Sequence, residues 1–182
     1  MRRVAFGGRR GLSSTPRMKK YGMSSSSVES PGCIALTDTG HSIRTDLPRQ
    51  VGGQDTGPQP VELMLAALLG CKTATAHFVA RHLWPRPHHR IHTIKFEDVE
   101  AERDERGALT LPITQQPPAS AALVRVRGVA IITPMSTGAI SAADVSALGE
   151  LVEQRCPVAA TLLTAGCKLD FVWRLSPPAP DN

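Results

Sequence analysis

Two cysteines stand in sequence contexts that suit sulfur chemistry. Cys156, in EQRCPVAATLL (153–163), directly precedes a proline. Pro157 has φ fixed near the helical value and lacks an N–H that a first turn would leave unpaired, so it marks a first helical residue. Val158 to Leu163 continue as good helix stock, and Gly166 supplies a stop. Cys156 is thereby placed at an N-cap, where unpaired amides and the helix dipole favour an anion. This predicts a thiol that ionises more easily than a free one. Cys71 lies in the long apolar run VELMLAALLGCKTATAHFVARHL (61–83). Taken alone it is an ordinary buried thiol. Four cysteines in 182 residues, without a secretory signal, point to redox, metal-binding or buried thiols rather than a disulfide scaffold.

The remaining reactive residues are less organised. His82, His88, His89 and His92 lack helical i, i+4 pairing, an accompanying carboxylate and finger-like spacing, so a solvated loop is expected and no metal. VGGQDTG has no Gly-Lys-Ser/Thr and makes no phosphate loop. Lys72 adjoins Cys71, but neighbouring helical residues point about 100° apart, which suggests solvation or a subunit contact. Cys33 and Cys167 fall on expected strands as packing residues.

Elements must hold the two thiols in place, and composition bounds them. With 41% hydrophobic and 20% charged residues the chain is globular, and its length allows one domain with a real core, or two very small ones. No apolar run approaches the ~20 residues of a membrane span. The net charge of +5 is concentrated at one end. Residues 1–27 carry seven Lys and Arg and no acid, leaving 14 of the 21 to face 16 Asp and Glu. A nucleic-acid reader would carry its basic patch on the folded part; no nucleic-acid partner is expected. The Arg/Ser-rich leader has the composition of a mitochondrial import peptide, or of a plain basic tail on a cytoplasmic protein.

CIALTDTGHSI gives two short apolar runs around Asp38-Thr39-Gly40, a hairpin signal. LPRQVGGQDTGPQP follows as a Gly/Pro-rich loop. The 61–83 run is apolar on every side in its first half and predicts a helix buried at the centre. Residues 91–101 form a strand whose apolar phase shifts near Glu97 and Asp98, the mark of a bulge. Residues 122–132 alternate as a second strand. Ser141 to Asp144 forms a capping box ahead of a helix with Val145, Leu148, Leu151 and Val152 on its apolar stripe. CKLDFVWRL is the last strand, and SPPAPDN a disordered tail. Strands, helix, strands, helix and strand make an α+β domain over residues 28–175, between the leader (1–27) and the tail (176–182).

GPQPVELMLAALLGC, followed two strands and a helix later by RCPVAATL, resembles the OsmC/Ohr family of thiol-dependent hydroperoxide reductases. The likeness runs from about Cys33 to Leu175. Its strongest parts are Pro60 to Cys71 and Cys156-Pro157-Val158, and DLPRQVGGQDTGPQP looks closest to the OsmC-like branch. The resemblance implies antiparallel sheets packed around a long central cysteine-bearing helix, in an intertwined homodimer with sites at the subunit interface. It implies that Cys71 attacks the O–O bond of an organic, lipid-type hydroperoxide, and that Cys156 closes a disulfide on the resulting sulfenic acid. An external dithiol, lipoyl-bearing or another thiol, would reduce both, with no bound cofactor. Arg49, in RQVG, corresponds to the family's thiolate-stabilising arginine, in a loop two residues longer. The family's acid directly after the proline is Val61 here, and Glu62 comes one position later. Nine helical residues separate Glu62 from Cys71 by ~13.5 Å. Glu62 then acts through Arg49 or across the dimer, or else is a favourable acid in a first helical turn. Val61 favours the alternative of a non-enzymatic redox-sensing or apolar-ligand-binding dimer.

Overall fold

The computed structural model describes residues 16, 18–27, 31–84, 90–136 and 140–176. Most of the expected leader, His88, His89 and residues 177–182 lie outside them. The chain divides into two compact units, Met1–Gln59 and Pro60–Asn182.

The first unit is an antiparallel meander of β1 (Met23–Ser27), β2 (Cys33–Thr37) and β3 (Ser42–Thr45). The hairpin expected at Asp38-Thr39-Gly40 joins β2 to β3, with Gly40 at φ 86° supplying the left-handed residue of the turn. β1 is the serine run of the expected leader. It is exposed throughout and pairs from Met23↔Thr37 to Ser27↔Cys33. It is held by a backbone ladder, which no apolar pattern announces. Cys33 is half-buried rather than buried.

The second unit carries the rest: α1 (Pro60–Leu83), β4 (Ile91–Arg103), the short α2 (Arg106–Leu109), β5 (Leu123–Pro134), α3 (Ala142–Arg155), α4 (Pro157–Thr164) and β6 (Lys168–Leu175). β4, β5 and β6 form one sheet in that order. β4 and β5 are antiparallel, with the expected bulge between Glu97 and Glu100 and Asp98 at φ 51°. β6 runs parallel to β5, which departs from the antiparallel expectation. The return through α3 and α4 is the crossover that a parallel pair requires, and strand direction leaves no mark in a local residue pattern.

Two apolar clusters fill this unit. One gathers Ala76, Val79 and Ala80 of α1, Ile91, Ala130 and Ile132 of the sheet, Val145, Leu148 and Val152 of α3, and Trp173. The other joins Leu68, Leu123, Val126, Cys156, Ala159, Leu162 and Cys167, with Cys71 packed against it. α1 is not buried all round. Leu68, Lys72, Ala76, Val79 and Ala80 line its buried face, while Val61, Met64, Phe78 and Leu83 are exposed. Contrary to the expectation from uninterrupted runs, α1 is long and apolar enough to cross a membrane, at mean hydropathy 1.5. Lys72 and His77 interrupt the apolar run, yet the helix stays apolar on average. The buried face of α1 contributes to both clusters, as a core helix does.

Candidate active site

α1 delivers Cys71, half-buried, and the junction of α3 and α4 delivers Cys156, fully buried. α3 begins at the expected capping box. The Asp144 N–H donates to Ser141 Oγ at 3.2 Å, and the Ser141 N–H donates to Asp144 Oδ2 at 2.8 Å. Its buried stripe is Val145, Leu148, Gly149 and Val152, with Leu151 half-buried. Gly149 admits the close approach of β6, because a Cβ there would lie 2.5 Å from the Trp173 ring. α3 ends at Arg155, and Cys156 is at once its C-cap and the N-cap of α4, with Pro157 at N1. The Ala159 N–H donates to Cys156 Sγ at 3.5 Å.

This is the helix mouth expected from the sequence, but its effect on ionisation is reversed. Burial pushes the Cys156 thiol up, the side chain of Cys71 adds to the rise, and the Ala159 amide offsets only part of it. A capping amide favours an anion, but removing a thiolate from water costs more here. Cys71 packs against the apolar cluster that holds Cys156, close enough to raise its thiol, and both thiols are free. Cys167, buried in the same cluster, is raised by burial alone.

Cys71 opens onto a cleft of about 440 Å³ lined by Ala74, Thr75, Phe78, Arg155 and Pro157. A second cleft of about 340 Å³ shares Phe78 and Arg155, and adds Val79, His82, Leu83 and Leu151. The lining is apolar apart from Thr75, His82 and Arg155, which brings a positive charge to the cleft that Cys71 lines. Arg155 escaped the sequence reading, although it immediately precedes Cys156. His82 is not on a solvated loop. It ends α1 with its ring 4.4 Å from that of Phe78 and Nδ1 2.7 Å from the Phe78 carbonyl. His92 is exposed on β4. Among the described residues no three His, Cys, Asp or Glu side chains converge as a metal site would need.

Lys72 is neither solvated nor on the surface. Its side chain is fully buried, paired with Glu153 of α3, and its ammonium lies 4.3 Å from the centre of the Phe171 ring. Glu62 is exposed in the first turn of α1, nine residues before Cys71. Arg49 belongs to the first unit, where it opens an exposed 3-10 turn, Arg49–Val51, closed by Gly52 at φ 91°. The loop around Arg49 folds on Asp46, a residue missed in the sequence. The Asp46 carboxylate is 1% exposed and accepts from the N–H groups of Leu47 (2.8 Å), Gln54 (3.2 Å) and Thr56 (3.1 Å) and from the Thr56 hydroxyl (2.8 Å). The Thr56 hydroxyl, aided by the three amides, holds this carboxyl far below the usual carboxylate range against the opposing effect of burial. An acid heading a Gly/Pro-rich loop was the available signal.

The model of the OsmC-like protein family matches residues 53–172, more than half of the chain. No curated protein matches by sequence. Among solved structures, an OsmC-like protein from Mycoplasma pneumoniae is similar at 21% identity and TM-score 0.66, covering 87% of this chain and 99% of its own. An organic hydroperoxide resistance protein OsmC from Legionella pneumophila is 15% identical with TM-score 0.60, over 89% of this chain and all of its own. A Vibrio cholerae organic hydroperoxide resistance protein, with captopril in one of its active sites, is 15% identical with TM-score 0.59, over 89% and 94%. At such identities the structural likeness carries the fold, and the match across residues 53–172 carries the family: this chain is a member of the OsmC-like proteins.

Proposed function

We propose that the protein is a cysteine-based peroxidase that reduces organic hydroperoxides to alcohols, working as a homodimer with an external dithiol donor. The observation that carries this reading is that two free thiols share one apolar cluster, Cys71 opening onto an apolar cleft and Cys156 fully buried. The Cys71 thiolate attacks the O–O bond, the alkoxide leaves and takes a proton as the alcohol, and sulfur keeps one oxygen as a sulfenic acid. The Cys156 thiol then displaces that oxygen as water and forms the Cys71–Cys156 disulfide. A dithiol such as a lipoyl group returns two electrons and two protons, and the enzyme binds no cofactor. The apolar lining suits the carbon chain of a lipid-type peroxide, and Arg155 is the cation that lines both clefts. Arg49 and Glu62 remain candidates for the supporting arginine and acid, and two sites in a dimer would bring a second set of both.

Reduced protein supplied with dithiothreitol or dihydrolipoamide should consume cumene hydroperoxide. Cys71→Ser should abolish turnover, and Cys156→Ser should leave a sulfenic acid that dimedone captures. Full activity in Cys71→Ser would sink the assignment. Val61, at the family's acid position, supports a second reading, a redox sensor that is oxidised once and stops. A single equivalent of peroxide consumed per site, with donor in excess, would identify it.

A further inference from the structure

We infer that the Lys72–Glu153 ion pair is a positioning device that fixes the register in which Cys156 meets Cys71, an inference that rests on the disulfide chemistry proposed above. Each member of the pair sits beside one of the two thiols. Lys72 directly follows Cys71 on α1, and Glu153 stands three residues before Cys156 in the last turn of α3. The ammonium is triangulated by α1, which carries it, by the carboxylate on α3, and by the Phe171 ring on β6 at 4.3 Å. Lys72 is the largest fully buried side chain among the described residues. The buried Oε2 of Glu153 has no partner among the described residues, so Lys72 alone anchors that carboxylate.

The Lys72 ammonium is fully buried while the Glu153 side chain keeps 29% of its surface exposed. Such a pair adds little stability beyond what well-packed apolar side chains would give, while stripping the buried ammonium of its partner is costly, so its use is in specifying register. Elsewhere α1 and α3 share an apolar cluster, Ala76, Val79 and Ala80 with Val145, Leu148 and Val152. Apolar contacts are non-directional and tolerate sliding. A disulfide does not, because it needs Cα atoms ~4.4–6.8 Å apart with a set orientation. A shift of α3 by a fraction of the 5.4 Å helical pitch would part the sulfurs, and it would also leave the fully buried Lys72 ammonium without its carboxylate. The pair therefore makes the arrangement in which the thiols meet the one that α1 and α3 adopt.

The test needs no peroxide. In glutathione buffers two thiols pass two electrons and two protons to glutathione disulfide, giving the protein disulfide and two glutathione molecules. Alkylation followed by mass analysis then reads the equilibrium constant. Lys72→Met/Glu153→Met removes both charges at similar volume. It should melt within a few degrees of wild type, yet form the Cys71–Cys156 disulfide with an equilibrium constant lower by about tenfold or more. Glu153→Gln keeps the shape and loses the charge; it should shift the equilibrium the same way by about threefold or more, and it serves if the double variant does not fold. Lys72→Arg, which preserves the pair, should restore most of the wild-type value. A wild-type equilibrium in either folded charge-removal variant overturns the positioning role and leaves the peroxidase reading intact. A wild-type protein that forms the disulfide in glutathione but consumes no hydroperoxide would overturn the peroxidase reading alone. A wild type that forms no Cys71–Cys156 disulfide overturns both.

Discussion

Cys156 feels two opposing influences at its helix mouth: an amide that favours the thiolate and a dry surrounding that disfavours it. Burial prevails, so the folded chain holds this sulfur as a thiol. The sign follows directly. A thiol whose ionisation is pushed to higher pH by the fold stabilises the fold below the ordinary thiol value, near 8.5, and that stabilisation is lost as the pH climbs through the raised value. In the proposed cycle this is useful, since a protonated Cys156 would not compete with Cys71 for the peroxide. A brief iodoacetamide pulse on the reduced protein at pH 7.5 should label Cys71 ahead of Cys156, with Cys156 catching up only as the pH rises past 9. Labelling of Cys156 first at neutral pH would contradict the burial argument. The N-cap position was legible in Cys-Pro-Val, whereas the sign of the shift was not, because a local string carries no information on how much chain will cover it. Lys72 was misplaced for the same reason: its counterion is 81 residues away.

The elements that hold the thiols meet through close approaches that single residues permit. α3 lies against β6 at Gly149, under Trp173. Gly149→Ala would force the indole aside, and overpacking of this kind costs about 1–3 kcal/mol. Urea unfolding should show that loss; an unchanged midpoint would mean the ring has room to yield. Local chemistry made much of this level readable. The Ser141–Asp144 box, the Asp38-Thr39-Gly40 turn and the phase slip near Asp98 are written in side chains and recur in the structure. β1 was unreadable because serines pair through backbone alone, and the parallel run of β6 because direction is decided by the α3–α4 crossover.

On the scale of the molecule, α1 leaves apolar surface uncovered. Met64, Ala67, Ala74 and Phe78 lie along one exposed side of it, with Cys71 at its margin. The helical spacing of these residues makes a continuous stripe, and a second copy laid on it would close the cleft over Cys71. Ala67→Glu should drive the proposed dimer toward monomers in sedimentation and slow peroxide consumption, while a wild-type chain that sediments as a monomer would remove the dimer from the account. Family and fold class were within reach of the sequence because the Pro60–Cys71 and Cys156–Val158 strings are local. The exposed side of α1 was not, since a helix apolar all round gives no sign of which face its own chain will cover.

The distance along the chain between the two thiols has a thermal consequence. Cys71 precedes the whole β4–β5 pair and Cys156 follows it, 85 positions later, so a bond between them would tie off a ring enclosing both strands and α3. A ring of that circumference deprives the unfolded chain of freedom worth on the order of 4 kcal/mol. In the proposed cycle, the oxidant that spends the two sulfurs would at the same moment make the molecule harder to melt, and the reductant that readies it for another turnover would soften it.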